Sequence, residues 1–444
     1  MKKLNIQIGI VTLCSLLLVG CSDSFLDKQP SDQLSDGVFY KSKDDLDMAL
    51  TACYGTNQNH ELYTWSVAYT ECMTDNGYAY MDYLSSTTIS RGPITPTTGG
   101  IDRIYNAQYK NIARYNIFLK KLGEYTGSDI TDKERTQMEA EVRLLRAISY
   151  LDLYCYYGSI PLVLEPLTYE TQDQPRAEST EVYNQIITDT DFAIANLANV
   201  SYTKGNGHLV KNAAQVIKAR ALLFEAYNDN GTAKQDVMSQ VKEITGEIIQ
   251  TGYYQIAPTY RALFCDDLGE QKNNPEYVFA VNYLGPNNNA VSFHGWGVFH
   301  NYIGTADAGG GLDPLKNLAD EYGFTDGTSF SETNPLYNPD DVFENRDPRM
   351  AKTMFTGTCV FENGFTHKPS GASFTNYYYW KIVSEEDARD PRSDNWSSDW
   401  PLMRYAEVLL MYAEAANEVD GPTDAVQSAI NQIRDRADVR MPAI

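Results

Sequence analysis

Two segments of the 444-residue chain combine aromatic side chains with amides and carboxylates at close spacing. The first segment contains Trp65, Tyr69, Asp75, Asn76, Tyr78, Tyr80 and Tyr83. The second segment is a Gly- and Asn-rich stretch that contains Asn288, Trp296 and Tyr302. An aromatic ring can cover the flat C–H face of a sugar, and amides or carboxylates can bond the hydroxyl groups around it. Both segments are therefore candidate carbohydrate-binding sites.

Each segment also has a purely structural interpretation. Gly295 and Gly297 flank Trp296, which favours an exposed indole over a core one, but the run Asp75-Asn76-Gly77 is equally typical of a plain turn. Many of the 32 tyrosines are expected to line helix–helix contacts, because tyrosine has an apolar face and a polar edge. Three further tryptophans are expected to pack beneath loops: Trp380, Trp396 and Trp400.

Motifs that would indicate catalysis are absent from the sequence. There is no GxSxG, P-loop, HExxH or GxGxxG pattern, and no CxxC pair among widely spaced cysteines. His294 and His300 are the closest histidines, six residues apart in a predicted loop, and we interpret them as loop residues, not as metal ligands. Among 59 acidic residues some pair could act as in a glycosidase, but no spacing selects one. We predict no catalytic residue, no metal and no cofactor.

The N-terminus has the layout of a lipoprotein signal. Lys2 and Lys3 precede an apolar stretch that is too short to span a bilayer and that ends in small residues before Cys21. We predict a signal peptide over residues 1–20 and lipidation of Cys21, although an ordinary signal with an incidental cysteine is the alternative. Two or more acyl chains on Cys21 would anchor the protein stably.

Charge limits the possible partners. The formal net charge is -23, and residues 1–20 carry two lysines and no acid, so the chain from Cys21 has a net charge of -25. Such a surface repels nucleic-acid phosphates and anionic lipid headgroups. We therefore predict that the protein does not bind nucleic acid.

Helical periodicity dominates the first half of the chain. Ser42 and the capping box Thr131-x-x-Glu134 each open a predicted helix, and Asn212-x-x-Gln215 is expected to cap another. The predicted helices cover residues 43–55, 131–158, 181–196, 212–230, 236–250, 403–417 and 422–437. Three of them carry a similar local run that begins at Arg146, Arg220 or Arg404, and the first two lie about two tetratricopeptide periods apart.

Between about residues 253 and 399 the chain is rich in Gly, Pro, Asn and Asp. One alternating strand is predicted from Tyr277 to Tyr283, and the remainder reads as ordered loops. Long loops inside a compact protein are usually functional. We predict a mainly all-α fold: a tetratricopeptide-like helical-repeat scaffold with a loop-rich ligand-binding region and a few short strands. Residues 21–252 and 253–444 would be two regions packed as one unit.

Several runs together resemble the SusD/RagB family of outer-membrane lipoproteins from Bacteroidetes. The mature start Cys21-Ser22-Asp23-Ser24-Phe25-Leu26-Asp27 is one of them. The most characteristic run is Arg143-Leu144-Leu145-Arg146-Ala147-x-x-Tyr150, which ends in Tyr157-Gly158-x-Ile160-Pro161-Leu162. Two more are Asn345-Arg346-Asp347-Pro348-Arg349 and Arg404-Tyr405-Ala406-Glu407-Val408-Leu409. Together they cover almost the whole chain.

The resemblance implies a non-catalytic, lipid-anchored protein on the outer-membrane surface. It also implies tetratricopeptide-like helix pairs that pack against a SusC-like TonB-dependent barrel, and loops that bind mostly glycans and sometimes peptides. The alternatives are an α-helical glycoside hydrolase and a peptide-binding or scaffolding lipoprotein. The family usually continues beyond the helix that contains Arg434, so the resemblance also predicts a truncated C-terminal region.

Overall fold

A computed structural model describes most of the chain from residue 39 onwards. The described residues are 39–59, 61–63, 67–79, 85–96, 98, 100–265, 271–284, 312–361, 364–367, 373–382 and 398–444. Within these ranges no helix is both long and apolar enough to cross a bilayer.

Long helices form most of the described structure. The helices are α1 Lys43–Tyr54, α2 Val67–Glu71, α3 Ser86–Arg91, α4 Ile101–Glu124, α5 Asp132–Tyr157, α6 Ser179–Asn196, α7 Lys211–Phe224, α8 Gln235–Gln250, α9 Lys316–Glu321, α10 Pro348–Thr353, α11 Tyr405–Asp420 and α12 Asp424–Arg434. The strands are β1 Gly77–Ala79, β2 Tyr277–Val281, β3 Leu312–Pro314, β4 Met354–Phe355, β5 Cys359–Val360, β6 Thr366–His367, β7 Tyr378–Tyr379 and β8 Trp400–Arg404. The predicted mainly α-helical fold is confirmed.

The helix starts follow local capping chemistry. Ser42 caps α1 and Thr131 forms a capping box with Glu134, as predicted. Ser42 also forms a complete capping box, with Asp45, which was not predicted. The prediction that Asn212 caps α7 is wrong, because α7 begins after Val210 and Asn212 lies inside its first turn. The Asn212 side chain is buried there and donates a hydrogen bond to Gln215 Oε1 at 2.8 Å. Its amide therefore stabilises the helix interior.

The 24-residue helix α4 was not among the predicted helices. Its buried positions follow a helical period through Ile104, Ile112, Tyr115 and Phe118, but buried amides interrupt the apolar pattern. The Nδ2 atom of one such amide, Asn116, donates to the Val163 carbonyl oxygen at 2.9 Å. The tertiary contacts of these amides are not visible in the sequence.

Consecutive long helices pack side by side from α4 to α8, after which α8 packs on α11 and α11 on α12. This order is that of a helical-repeat scaffold. Arginines of the repeated runs cross the interfaces: Arg146 on α5 binds Asp189 of α6 through two bonds of 2.9 Å. Arg220 on α7 binds Glu407 of α11 at 2.5 and 2.7 Å. The first two runs thus share a structural role, whereas Arg404 of the third run lies in β8 and donates to Glu276 Oε1 at 2.9 Å.

One hydrophobic core extends from Leu46 to Ala429 and includes side chains from both predicted regions. The antiparallel pair of β2 and β8 contributes to it. The strand predicted from Tyr277 to Tyr283 is present as β2, Tyr277–Val281, and all five of its residues are buried, so it is covered on both faces. Trp400–Arg404 form β8, which is why α11 begins at Tyr405 and not at Met403.

Candidate ligand-binding site

The structure describes four of the predicted site residues. These are Tyr69, Asp75, Asn76 and Tyr78. Seven others lie outside the described residues: Cys21, Trp65, Tyr80, Tyr83, Asn288, Trp296 and Tyr302. The geometry of the site is therefore built from the first segment and from the elements that surround it.

The prediction that Tyr69 faces a ligand is wrong. Its side chain is only 1% exposed and belongs to the main core. Tyr69 lies on the short helix α2, and a helix five residues long has to bury an apolar side chain against the core to stay in place. Its ring therefore stabilises the position of the segment and is not available to a ligand.

Asp75 and Asn76 lie in a turn that leads from α2 to β1. The Asn76 side chain donates to Glu71 Oε2 at 3.1 Å, and the Asn76 carbonyl oxygen accepts the Leu315 N–H at 2.8 Å. The Asp75-Asn76-Gly77 run thus has the turn structure that was its alternative interpretation. Asp75 is exposed at the surface of this turn and Asn76 is half-buried.

Gly77 holds the turn close to the protein interior. A Cβ atom on this residue would lie 2.7 Å from the Tyr379 hydroxyl and 2.9 Å from the Cys72 sulfur. Both distances are too short for any side chain, so only glycine allows β1 to approach so closely. The close approach fixes the position of the next residue, Tyr78.

Tyr78 forms an aromatic pair with Phe374. The two ring centroids lie 6.0 Å apart at an interplanar angle of 66°, and the Arg91 guanidinium lies 5.3 Å from the centre of the Tyr78 ring. Phe374 is 58% exposed, although a large apolar side chain is more stable when it is buried. Edge-to-face aromatic pairs with a nearby guanidinium offer both an apolar surface and hydrogen-bond donors. We call Tyr78, Phe374 and Arg91 the aromatic cluster.

A buried carboxyl group supports this cluster from below. Asp313 of β3 pairs with Tyr78 of β1, and its Oδ2 atom accepts the backbone N–H of Phe374 at 2.9 Å. Asp313 is 1% exposed, and burial raises the pKa of its carboxyl group to about 6. Its Oδ1 atom has no hydrogen-bond partner. Asp313 therefore fixes the Phe374 backbone beside Tyr78.

Arg91 is positioned by the contact between α3 and β1. The Thr87 hydroxyl donates to the Ala79 carbonyl oxygen at 2.8 Å, which connects the helix to the strand. Arg91 lies one turn further along, in the last turn of α3, where a positive charge is favourable. The contact between α3 and β1 therefore places the Arg91 guanidinium 5.3 Å from the centre of the Tyr78 ring.

Tyr63 and Tyr283, which precede the two sequence-predicted segments in the chain, are in direct contact. The Tyr283 hydroxyl donates to the Tyr63 carbonyl oxygen at 2.9 Å, just before residues 64–66 and 285–311. The Tyr63 hydroxyl donates in turn to Asp152 Oδ2 at 2.5 Å. Burial raises the pKa of the Asp152 carboxyl group. This network fixes the starting points of the two segments on the helical scaffold.

Sequence reasoning missed Phe374, Arg91 and Asp313. Phe374 and Asp313 lie far from Tyr78 in the sequence, and the pairing of β1 with β3 brings Asp313 to it. Arg91 reaches the ring through the separate contact between α3 and β1. The prediction for Trp380 is confirmed, because it is 6% exposed and the Arg261 guanidinium lies 3.8 Å from its ring centre. Trp400 is partly buried against the core, and Trp396 lies outside the described residues.

Two family models match the chain. The model described as the SusD family matches residues 275–441, and the model described as starch-binding associating with outer membrane matches residues 24–223. The two matches cover both the helical scaffold and the loop-rich region.

Individual relatives match over nearly the whole chain. SusD-like protein P38 from Formosa agariphila is 26% identical, with 98% of this chain and 82% of the relative covered. A SusD-like protein from Bacteroides ovatus is 21% identical, with 91% of this chain and 71% of the relative covered.

Solved structures show the same fold. A SusD-like carbohydrate-binding protein from Bacteroides fragilis superposes with a TM-score of 0.73 at 24% identity, over 91% of this chain and 80% of the other. Surface glycan-binding protein A from Bacteroides uniformis superposes with a TM-score of 0.65 at 19% identity, over 90% of this chain and 82% of the other. The matches confirm the tetratricopeptide-like scaffold and the predicted resemblance, and the chain belongs to the SusD/RagB family.

Proposed function

We propose that this protein binds oligosaccharides at the aromatic cluster and in the loops around it, as a lipid-anchored protein of the outer-membrane surface. It then passes the oligosaccharide to a SusC-like TonB-dependent transporter and catalyses no reaction. The proposal combines the described geometry with the family and with the sequence of the N-terminus.

The observation that carries the proposal is the pair of half-buried Tyr78 and exposed Phe374 beside Arg91. Asp313 holds the Phe374 backbone, and the close approach at Gly77 holds β1 and with it Tyr78. A preformed aromatic surface with neighbouring donors is the arrangement that a sugar ring requires, because stacking covers its C–H face while polar groups bond its hydroxyls.

The relatives support the same class of ligand. One similar structure is described as a SusD-like carbohydrate-binding protein and another as a surface glycan-binding protein. The family model that matches residues 24–223 is described as starch-binding associating with outer membrane. The net charge of -25 for the chain from Cys21 favours neutral or weakly charged oligosaccharides, since it repels strongly anionic ones at low salt.

The chemistry of Asp313 favours binding over hydrolysis. Its raised pKa is the property that a glycosidase needs in a general acid. A general acid also has to come within hydrogen-bond reach of the glycosidic oxygen. The Asp313 carboxyl group is 1% exposed and one oxygen already accepts the Phe374 N–H, so it fits a supporting role.

The predicted loop residues extend the proposed site. Trp65, Tyr80 and Tyr83 flank the described part of the first segment, and Asn288, Trp296 and Tyr302 follow Tyr283 in the chain. We expect aromatic rings among them to add stacking surfaces and the amides to bond hydroxyls. Asp75 and Asn76 would contribute at most to the polar rim, because Asn76 already bonds Glu71.

A panel of purified oligosaccharides tests the binding step. Calorimetric titration should detect binding of at least one neutral oligosaccharide, and prolonged incubation should release no new reducing ends. Trp296→Ala should weaken binding at least several-fold with an unchanged helical circular dichroism spectrum, since truncating a stacked anchor commonly costs more than about 1 kcal/mol. Binding of peptides but of no glycan, or steady release of reducing ends, would reject the proposal.

Two further experiments test the anchor and the partner. Cys21→Ala should release the protein from outer membranes or block its maturation, because the acyl chains attach through that thiol. Mild detergent extraction with crosslinking should recover the wild-type protein together with a TonB-dependent transporter. Retention of the Cys21 variant in membranes washed with high salt, or recovery of the protein alone, would contradict these two parts.

A further inference from the structure

A largely apolar cavity, which we call the α4 cavity, opens at the start of α4. It has a volume of about 430 Å³ and is lined by Ile94, Pro96, Tyr105, Tyr157, Ser159 and Arg176, among others. Ligand cavities range from about 300 to 1,000 Å³, so its size matches a ligand. Three chain segments form its walls: the loop after α3, the start of α4 and the loop between α5 and α6.

The α4 cavity lies at the end of the scaffold from which the predicted ligand segments start. Gln108 of α4 and Tyr63 both donate to Asp152 Oδ2 on α5, at 2.7 and 2.5 Å. Tyr105 lies about one helical turn before Gln108, and Tyr157 lies just over one turn after Asp152. The cavity is therefore close to the point where the first ligand segment leaves the scaffold.

The α4 cavity is also close to the aromatic cluster along the chain. Arg91 of the cluster and Ile94 of the cavity are three residues apart. Each residue spans at most about 3.6 Å, so the two Cα atoms are no more than about 11 Å apart. Ile94 is 48% exposed, so it gives this wall an apolar surface that a ligand can cover. One oligosaccharide can therefore contact both places.

Two tyrosine rings form the aromatic wall of the α4 cavity. The ring centroids of Tyr105 and Tyr157 lie 5.4 Å apart at an interplanar angle of 90°. The Tyr157 hydroxyl donates to the Ile101 carbonyl oxygen at 2.7 Å, so the polar end of this ring is held within the protein. Both side chains are only half-buried and keep accessible ring surface. A wall fixed in this way loses little entropy when a ligand binds.

Three polar side chains of the lining keep hydrogen-bonding groups that no described residue uses. The exposed Arg176 guanidinium has no hydrogen-bond or ion-pair partner within the described residues. The half-buried Ser159 hydroxyl has none there either. Asn106 donates to Oδ2 of the exposed Asp102 at 3.1 Å, while Oδ1 accepts no bond from the described part of the chain. Donors and an acceptor are therefore both accessible to a ligand.

This combination indicates the class of ligand. A purely apolar ligand would remove water from Arg176 and Asp102 without replacing its hydrogen bonds. An ion would meet one side chain of its own charge. A sugar ring fits, because its C–H face covers a tyrosine ring while its hydroxyls donate to a carboxylate and accept from a guanidinium.

We propose that the α4 cavity is a second sugar subsite, which holds a part of the oligosaccharide beyond the part at the aromatic cluster. The inference rests on the proposed function. It adds that the protein selects long oligosaccharides over short ones, because only a long chain reaches both subsites.

Malto-, cello-, manno- and xylo-oligosaccharides, from disaccharide to octasaccharide, provide the test. In calorimetric titrations, the affinity of at least one series should rise tenfold or more with length. Arg176→Ala should lower the octasaccharide affinity about fivefold or more, since it removes a charged hydrogen-bond donor. Its fold should be unchanged, because Arg176 is exposed. Lys133→Ala removes an exposed charge at the other end of α5 and should bind as wild type does.

Hydrogen exchange locates the subsite. Octasaccharide binding should slow exchange of the backbone amides of residues 101–105 and 157–160. Equal affinities for disaccharide and octasaccharide, or an Arg176→Ala protein that binds as Lys133→Ala does, would overturn the inference and leave the aromatic cluster as the binding site. Slower exchange with a tryptic digest of casein, but with no oligosaccharide, would make the cavity a peptide site. If no oligosaccharide of any length binds, the proposed function fails and this inference fails with it.

Discussion

The helical scaffold and the aromatic cluster are stabilised in different ways. In the scaffold, long amphipathic helices bury continuous apolar faces, and a few buried ion pairs such as Arg146 with Asp189 join neighbouring helices. Around the cluster, strands of two or three residues depend on single contacts between distant parts of the chain, such as Asp313 with Phe374. The loss of one contact should therefore disturb the scaffold only locally, whereas the loss of one contact at the site should displace the residues that form it.

The largest expected effect comes from breaking a buried ion pair within the scaffold. Arg146→Ala leaves the Asp189 carboxylate, which is 0% exposed, without its bidentate partner. The Arg143 guanidinium, 3.8 Å from Asp189, compensates only part of this charge. We expect a loss of up to about 5 kcal/mol in the free energy of unfolding, because a buried carboxylate that loses its hydrogen-bonded partner is costly. Chemical denaturation followed by circular dichroism measures it.

Lys218→Ala is the matched control on the adjacent helix α7. Its partner Asp191 has a side chain that is 52% exposed, and exposed pairs contribute at most about 1 kcal/mol. If Arg146→Ala lowers the free energy of unfolding no more than Lys218→Ala does, the buried ion pairs do not stabilise the scaffold as described.

The pH dependence of Asp313 is the next largest expected effect. Its folded pKa of about 6 lies above the ordinary value of 3.8, so the folded protein binds this proton more tightly than the unfolded chain. The stability that the proton contributes is present below about pH 4 and is lost as the pH rises through about 6. Asparagine has no proton to lose in this range, so the stability of Asp313→Asn should not fall in this way as the pH rises.

The stability of Asp313→Asn relative to wild type should rise between pH 4 and pH 7, by about 3 kcal/mol at most since each pKa unit corresponds to about 1.4 kcal/mol. Urea denaturation across that range measures the difference. A flat difference for Asp313→Asn would mean that its carboxyl group is not buried beneath Phe374.

A smaller effect is expected from Gly77→Ala. The new methyl group would lie 2.7 Å from the Tyr379 hydroxyl and 2.9 Å from the Cys72 sulfur, so β1 has to move. Overpacking of this kind costs about 1–3 kcal/mol, and oligosaccharide affinity should fall with it because Tyr78 moves too. Thermal denaturation and titration measure both quantities.

Gly123→Ala provides the contrast in the scaffold. Gly123 lies in α4 and a Cβ atom there would meet nothing within 4 Å, so alanine should stabilise the helix by up to about 1 kcal/mol. If Gly77→Ala leaves the stability unchanged while Gly123→Ala lowers it, the site is the more tolerant region and the comparison is wrong.

The same contrast explains what the sequence could predict. Helix starts at Ser42 and Thr131 were predictable because a capping box lies within four residues. The aromatic cluster was not, because Tyr78 meets Asp313 only through strand pairing across more than two hundred residues. Tyr69 and Tyr78 were both predicted to contact a ligand, but Tyr78 lies in the aromatic cluster and Tyr69 in the core. Their spacing in the sequence does not show which tyrosine is buried.

The aromatic cluster is tested most directly by comparing Tyr78→Ala and Phe374→Ala with Phe224→Ala, in titrations with whichever oligosaccharide binds the wild-type protein. Phe224 is similarly exposed, at 55%, but lies at the end of α7 on the scaffold. Each cluster variant should lose about fivefold or more in affinity, since a truncated anchor commonly costs more than about 1 kcal/mol, while Phe224→Ala should bind as wild type does. Folded Tyr78→Ala and Phe374→Ala proteins with unchanged affinity would contradict the proposal that the ligand binds at this cluster.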